Sequence, residues 1–358
     1  MTLEEDIRRI GPPDAVAMQH ARQHWDSIAK PLRSLGLLED AVVQIAGITG
    51  NPDYTIDRRA VVIFCADNGV VVEGVTQTGS EITAVVAENF TKGCASVCRM
   101  AQVARAQVFP VDVGMCVDVP GVPCHKTAYG TRNFAKEPAM TRQQAEAAVL
   151  AGIQQVREKK KQGFQLLAAG EMGIGNTTTS SAVAAVLLGS SVAKVTGRGS
   201  GLSDAGLLRK RQVIEQAITL HRPNAADPLD ILCKVGGFDL AAMAGFCLGA
   251  GIYRIPVLLD GMISCVAALL AVRMAPACAA YLLASHQSAE PAGGLLLQEL
   301  EKRPLLTADL CLGEGSGAVA VLPLLDMAYA VYRDMNTFQE LSIEAYQPFE
   351  EEENHNTI

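Results

Sequence analysis

The run FQLLAAGEMGIGNTTTSSA, residues 164–182, sets the architecture. Leu166 to Ala169 is apolar without polar alternation, the composition of a strand covered on both faces. Gly170, Gly173 and Gly175 then break the run, and Asn176 with three threonines opens an alanine-rich helical stretch. Strand, glycine turn and helix in that order form one unit of a parallel sheet. The same rhythm recurs in AVVIFCADNG (60–69), VFPVDVGM (108–115), IPVLLDG (255–261) and LCLGEGSG (310–317). The expectation is an α/β fold, a Rossmann-like parallel sheet with helices on both faces, over residues 59–326. Ligands of such sheets sit beyond the carboxyl ends of the strands, which singles out Asp67, Asp112, Glu171, Asp260 and Glu314.

The helix after Met140 carries its own signals. Thr141 and Gln144 make a capping box, Ala145, Val149, Ile153 and Val156 a stripe, and Gly163 a stop. The chain ends read differently. Charged helical patterns run from Asp14 to Ile28 and from Ser34 to Ala46, and another begins at Met327. Residues 1–58 with 327–358 are expected to form a small helical domain. Glu350 to Glu353 is a run of like charge that reads as a solvated end.

With 358 residues, 49% of them hydrophobic, the chain can bury one large core. A net charge of -8 argues against nucleic acid as the main partner. The N-terminal MTLEEDIRRIGPP has no apolar signal core. The longest apolar stretch, Gly249 to Leu282, is interrupted by Arg254, Pro256, Asp260, Arg273 and Pro276, too often to span a bilayer. A cytoplasmic protein is expected, without membrane contact. None of the ten cysteines forms a CxxC pair; Cys94 with Cys98, and Cys124 beside His125, lack the second half of a zinc site. They read as reduced cysteines, mostly small hydrophobes, and no metal centre is expected.

Four segments carry chemistry. Gly170 to Ser181 offers Gly173 and Gly175 for close backbone approach, and Asn176 and Thr177 at a helix start, a cradle for a phosphate or an ordinary capped turn. Val195 to Arg211 places Gly201 and two other glycines before a helix bearing Arg209, Lys210 and Arg211. Lys210 could meet a phosphate, or the three could form a solvated face. In Leu310 to Pro323, Glu314 stands between two glycines after an apolar run that includes Leu312. A poorly solvated carboxylate there would have raised proton affinity and suit a general base, or would merely cap the next helix. Leu283 to Gly294 holds Ser285, His286, Ser288 and Glu290; without a GxSxG elbow, hydroxyls contacting a phosphate fit better than a hydrolase triad.

Together the stretches VVIFCADNGV, GEMGIGNTTTSSA, GRGSGLSDAGLLRKR, KVGGFDLAAMAGFCLGA, IPVLLDGMIS, SHQSAEP and LGEGSGAVAVLPLL resemble, in order, the nicotinate-nucleotide:dimethylbenzimidazole phosphoribosyltransferase family. The resemblance implies transfer of phosphoribose from nicotinate mononucleotide to an aromatic base, with inversion to an α-linked nucleotide used for a cobamide lower ligand. It implies Glu314 as the base that deprotonates the acceptor and Glu171 near the ribose and departing nicotinate. Gly173, Lys210 and Ser288 would hold the 5′-phosphate; Asp239 and Asp260 would be pocket or dimer residues. It implies a dimer and no cofactor.

The chain departs from that pattern. The usual KPPGSLG is KPLRSLG at Lys30 to Gly36, and ADHG is ADNG, with Asn68. The loop that commonly carries a proline reads TQTGSEIT, Thr76 to Thr83. Val85 stands where the family's helix presents a glutamine to the incoming base. An unmet buried polar group costs roughly 1–3 kcal/mol, so losing the glutamine would favour a phenol or p-cresol acceptor. Some members with that preference are heterodimers of paralogous chains, and with both glutamates kept this chain would be the catalytic partner. The alternatives are homodimeric benzimidazole activation, a non-catalytic supporting subunit, and a sugar-phosphate-binding regulator.

Overall fold

The structure is a computed structural model that describes residues 3–347; the Glu350 to Glu353 run lies outside the described residues. The chain divides into two compact units: residues 1–12 with 55–321, and residues 13–54 with 322–358. The N-terminal dozen residues therefore go with the sheet, not with the helical unit, and the C-terminal helix joins the helical unit from residue 322. Among the described residues, no helix is long and apolar enough to cross a membrane.

The larger unit is built on a five-stranded parallel sheet: β1 (Arg59–Ala66), β2 (Ala106–Gly114), β3 (Leu166–Met172), β4 (Val257–Leu259) and β5 (Leu282–Ala284), in the order β2-β1-β3-β4-β5. All eight residues of β1 are buried, as expected of a strand covered on both faces. From β1 the chain goes outward to β2 and returns on the other side to β3. The carboxyl ends of the strands are thus parted near the β1/β3 switch point.

Two readings of the sequence need correction. The apolar run Leu310 to Leu312 is not a strand; β6 (His286–Gln287) pairs only with β7 (Leu306–Thr307). Cys311 and Leu312 are exposed, so the run lacks the two-sided burial that would make it a central strand. Glu314 therefore follows an irregular segment. Conversely, Leu282–Ala284 is a strand that overlaps the start of the fourth segment, too short to show a period.

Helix Phe238–Tyr253 is buried along nearly its whole length. It lies against helix Arg142–Lys161 so closely that a β-carbon at Gly152 would strike the carbonyl oxygen of Ala242, and one at Gly245 that of Val149. Glycines here let two backbones touch. The Thr141–Gln144 capping box forms, and Gly163 adopts φ +81° just past the helix end.

The smaller unit holds helices Ala15–Ser27, Leu37–Thr49 and Leu322–Asp334. Trp25 and Tyr332 meet edge to face at 5.0 Å, and His24 bonds the Tyr332 carbonyl at 2.6 Å. Lys30 and Glu39 form a buried ion pair at 2.6 Å. Arg33, at the family motif's glycine position, adopts φ +54°.

Candidate active site

A cavity of about 320 Å³ opens at the carboxyl ends of β3, β4 and β5. Its wall runs from Glu171 to Thr177, takes in Gly199 and Ser200, then Asp260 to Ser264, His286, Ser288 and Glu290, and closes with Cys311 to Glu314.

Glu171, near the end of β3, is only 8% exposed. The Asn176 side-chain amide donates to Oε2, and Oε1 packs against Gly313. Burial, then the neighbouring Asp239 and Asp260 charges, push its pKa up to about 8 against the Asn176 amide and the nearby Glu314 backbone. Sequence reasoning expected the poorly solvated carboxylate at Glu314; Glu171 is the more strongly perturbed.

Glu314 has φ +62°, between Gly313 at +87° and Gly315 at +84°. A non-glycine residue in this region costs roughly 1–2 kcal/mol and persists where surroundings enforce it. Its Oε2 accepts the Val97 N–H at 3.1 Å, in the first turn of helix Ser96–Val103. Burial raises its proton affinity, and the Val97 bond only partly offsets this. No residue near Val97 announces this contact, because a backbone N–H has no side-chain signature.

Asp260, the first residue after β4, accepts the N–H groups of Gly317 (2.6 Å) and Ala318 (3.2 Å) on Oδ1 and of Gly315 (3.2 Å) on Oδ2. Burial raises its pKa to about 6.

Across the wall lies the glycine turn. A side chain on Gly173 would collide with the Ala66 carbonyl, and Gly175, at φ +91°, precedes helix Asn176–Leu188. Lys210 is 1% exposed, and its ammonium donates to Thr177 Oγ at 2.8 Å. Burial lowers its pKa to about 8, so Lys210 does not belong to a solvated basic face. Ser288 and Leu312 line the cavity.

Other expected residues sit elsewhere. Gly201 is outside the wall, its carbonyl accepting from the Gln77 side chain, while Gly199 and Ser200 face the cavity. Asp239 is fully buried behind Gly173, takes the Leu240 N–H at 2.9 Å, and is pushed up to about 7 by burial. Val85 is 52% exposed on helix Glu81–Thr91 and does not line the cavity. Thr83 on that helix, missed in the sequence, is buried and accepts the Ile174 N–H, tying the helix to the glycine turn.

Ser285 and His286 are 3.1 Å apart, a nucleophile-like pairing. Ser285 is 0% exposed and contacts the Asp260 carbonyl, so it cannot reach a substrate. Asp112, Asp118 and Cys124 cluster elsewhere, with the Lys126 ammonium 2.9 Å and 2.7 Å from the two carboxylates.

One cavity thus joins a strained carboxylate, a second carboxyl of high proton affinity, and a helix N-terminus backed by a buried ammonium. Such an arrangement can hold a phosphorylated sugar and accept a proton beside it.

A family model described as phosphoribosyltransferase matches residues 10–343. The nicotinate-nucleotide–dimethylbenzimidazole phosphoribosyltransferase of Ruminiclostridium cellulolyticum is 46% identical, over 98% of this chain and 100% of its own. The enzyme of that name from Acetivibrio thermocellus is 44% identical, over 97% and 99%. A crystal structure of CobT from Thermus thermophilus superposes with a TM-score of 0.86 at 41% identity, covering 92% of this chain and all of that one. The seven motifs, the sheet that positions them and full-length similarity to these enzymes agree: the chain belongs to the nicotinate-nucleotide–dimethylbenzimidazole phosphoribosyltransferase family.

Proposed function

We propose that this chain transfers the phosphoribosyl group of nicotinate mononucleotide to an aromatic base, releasing nicotinate and forming an α-linked nucleotide for cobamide synthesis. The observation that carries this reading is the placement of Glu314 in the same cavity as the Lys210-backed glycine turn. The 5′-phosphate is held at Gly173, Thr177 and Ser288, with Lys210 supplying charge through the first turn of helix Asn176–Leu188. Nicotinate is a pyridinium in the donor. When the bond from the sugar's anomeric carbon to the ring nitrogen breaks, its electron pair neutralises that nitrogen. The acceptor's lone pair forms the new bond from the opposite face, and its proton passes to Glu314. Positioning and deprotonation are the enzyme's share.

The relatives' names specify dimethylbenzimidazole, and that base is the first acceptor assigned to this chain. Phenol or p-cresol is the second. Supporting it are Val85 in place of the family's glutamine and an acceptor side made apolar by Ile174, Met262, Ile263 and Leu312. Val85 stands outside the wall of this chain's cavity, so the phenolic reading rests on the apolar wall more than on Val85. The supporting-subunit alternative is disfavoured by the presence of both glutamates in one cavity.

The purified protein, alone and with any paralogous chain, would be given nicotinate mononucleotide and equimolar dimethylbenzimidazole, adenine, phenol and p-cresol. Nicotinate release with a ribotide of one or more of these bases is the expected outcome. No nicotinate under either condition sinks the reading; benzimidazole product alone removes the phenolic acceptor.

A further inference from the structure

A third buried carboxyl group, Asp260, grips the loop that carries Glu314. It is buried at the end of β4, yet its three outgoing contacts all go to one loop. Oδ2 takes the N–H of Gly315, and Oδ1 takes those of Gly317 and Ala318. The helix that follows, Ser316–Ala320, has no side-chain cap of its own, because its N-cap residue is Gly315. A carboxylate from a different strand therefore does the capping. On the other side of the same turn, the Glu171 carboxyl group lies against Gly313, where a β-carbon would stand 2.5 Å from its Oε1. The left-handed run Gly313–Glu314–Gly315 is thus tethered from the end of β4 and packed against a side chain of β3.

We infer that Asp260 is a positioning residue: it holds Glu314 in its left-handed conformation, with the carboxylate turned to the Val97 N–H, and acts on the reaction through Glu314 rather than through the substrate. A left-handed glutamate would relax if its tethers were cut, because the flanking glycines offer no resistance. Lining the cavity does not by itself make Asp260 a substrate ligand: both of its oxygens are already engaged by backbone donors.

The inference rests on Glu314 being the base, and a double-mutant cycle separates the two claims. Asp260→Asn keeps the shape and one acceptor oxygen but replaces the other by a donor facing an N–H. It should lower kcat about 10–100-fold and leave KM for nicotinate mononucleotide within about threefold. In a Glu314→Ala background the same change should have almost no further effect, and acetate should restore Glu314→Ala and the double variant equally. If Glu314→Ala alone leaves turnover intact, the base assignment fails. If Glu314→Ala is slow but Asp260→Asn multiplies the loss, or raises KM for the donor tenfold, Asp260 meets the substrate directly and the positioning role is wrong. Thermal melting checks that each variant is folded. Should Asp260→Asn not fold, Asp260→Ser, which keeps a neutral helix cap but cannot reach Gly315, takes its place in the cycle with the same outcomes.

Discussion

The carboxyl group of Glu171 lies against Gly313, in the turn that carries Glu314: a β-carbon on Gly313 would stand 2.5 Å from its Oε1. The two glutamates, far apart in sequence, are therefore packed at one turn. Asp260, bonded to the N–H groups of Gly315, Gly317 and Ala318, holds the other side of that left-handed turn. The two differ in environment: Glu171 is nearly dry and burial pushes its pKa up to about 8, whereas Glu314 is half-buried, lines the cavity and is raised by burial against the Val97 N–H. Carboxyl groups whose environments push their proton affinities apart recur in enzymes.

The buried acids give stability a definite pH dependence. Unfolded Glu171 would titrate near about 4.3, and folded Glu171 at about 8. Between those values the folded chain holds a proton that the unfolded chain has released, so stability falls as pH rises across the window. Asp239, at about 7, and Asp260, at about 6, act with the same sign. Glu171→Gln should flatten the decline of unfolding free energy between pH 5 and pH 8, by an amount on the order of a few kcal/mol, and flatten the Tm profile with it. Only the slope is diagnostic, since the new amide faces the Asn176 amide donor. Parallel Tm curves for variant and wild type would show that Glu171 ionises normally.

Lys210 is the buried ammonium behind the glycine turn, where the donor's phosphate is proposed to sit. Replacing it with methionine keeps the buried stem and removes the ammonium. A charge-assisted hydrogen bond is worth roughly 1.5–3 kcal/mol, so KM for nicotinate mononucleotide should rise roughly 10–150-fold, with a smaller effect on the acceptor. Because burial puts the free lysine near about 8, donor binding by the wild type should weaken above that pH. Equal losses for donor and acceptor would point instead to collapse of the cavity.

Much of this was legible in the sequence, and the failures have physical causes. β1 and β3 announced themselves because strands buried on both faces need unbroken apolar runs. The same rule misled at Leu310 to Leu312, an apolar run in which Cys311 and Leu312 are exposed. Arg209, Lys210 and Arg211 are alike as letters; only helix rotation reveals that Lys210 is the buried one. The Val97 contact and the grip of Asp260 on its loop run through backbone N–H groups, which composition does not encode. Val85, chosen by position in a motif, lies outside the single chain's cavity.

The helix pair in the core offers a sharper test of packing. In Gly245→Ala a methyl group would meet the Val149 carbonyl, and neither backbone can yield without separating the helices. A loss of at least about 3 kcal/mol, or no folded protein, should follow. Gly294→Ala, in a short helix where a β-carbon would meet only the Gln287 side-chain nitrogen at 3.8 Å, should be neutral or stabilising by up to about 1 kcal/mol. Denaturant melts of the two variants would check this, and equal stabilities would contradict the close contact.

In the proposed reaction Glu314 removes the proton from the aromatic acceptor. The most direct test of this step is steady-state turnover of Glu314→Gln with nicotinate mononucleotide and dimethylbenzimidazole, followed by nicotinate release. Loss of the base should cut kcat about 10²–10⁴-fold while the donor KM stays within a few-fold of wild type. Turnover within threefold of wild type, in a variant that melts normally, would contradict it.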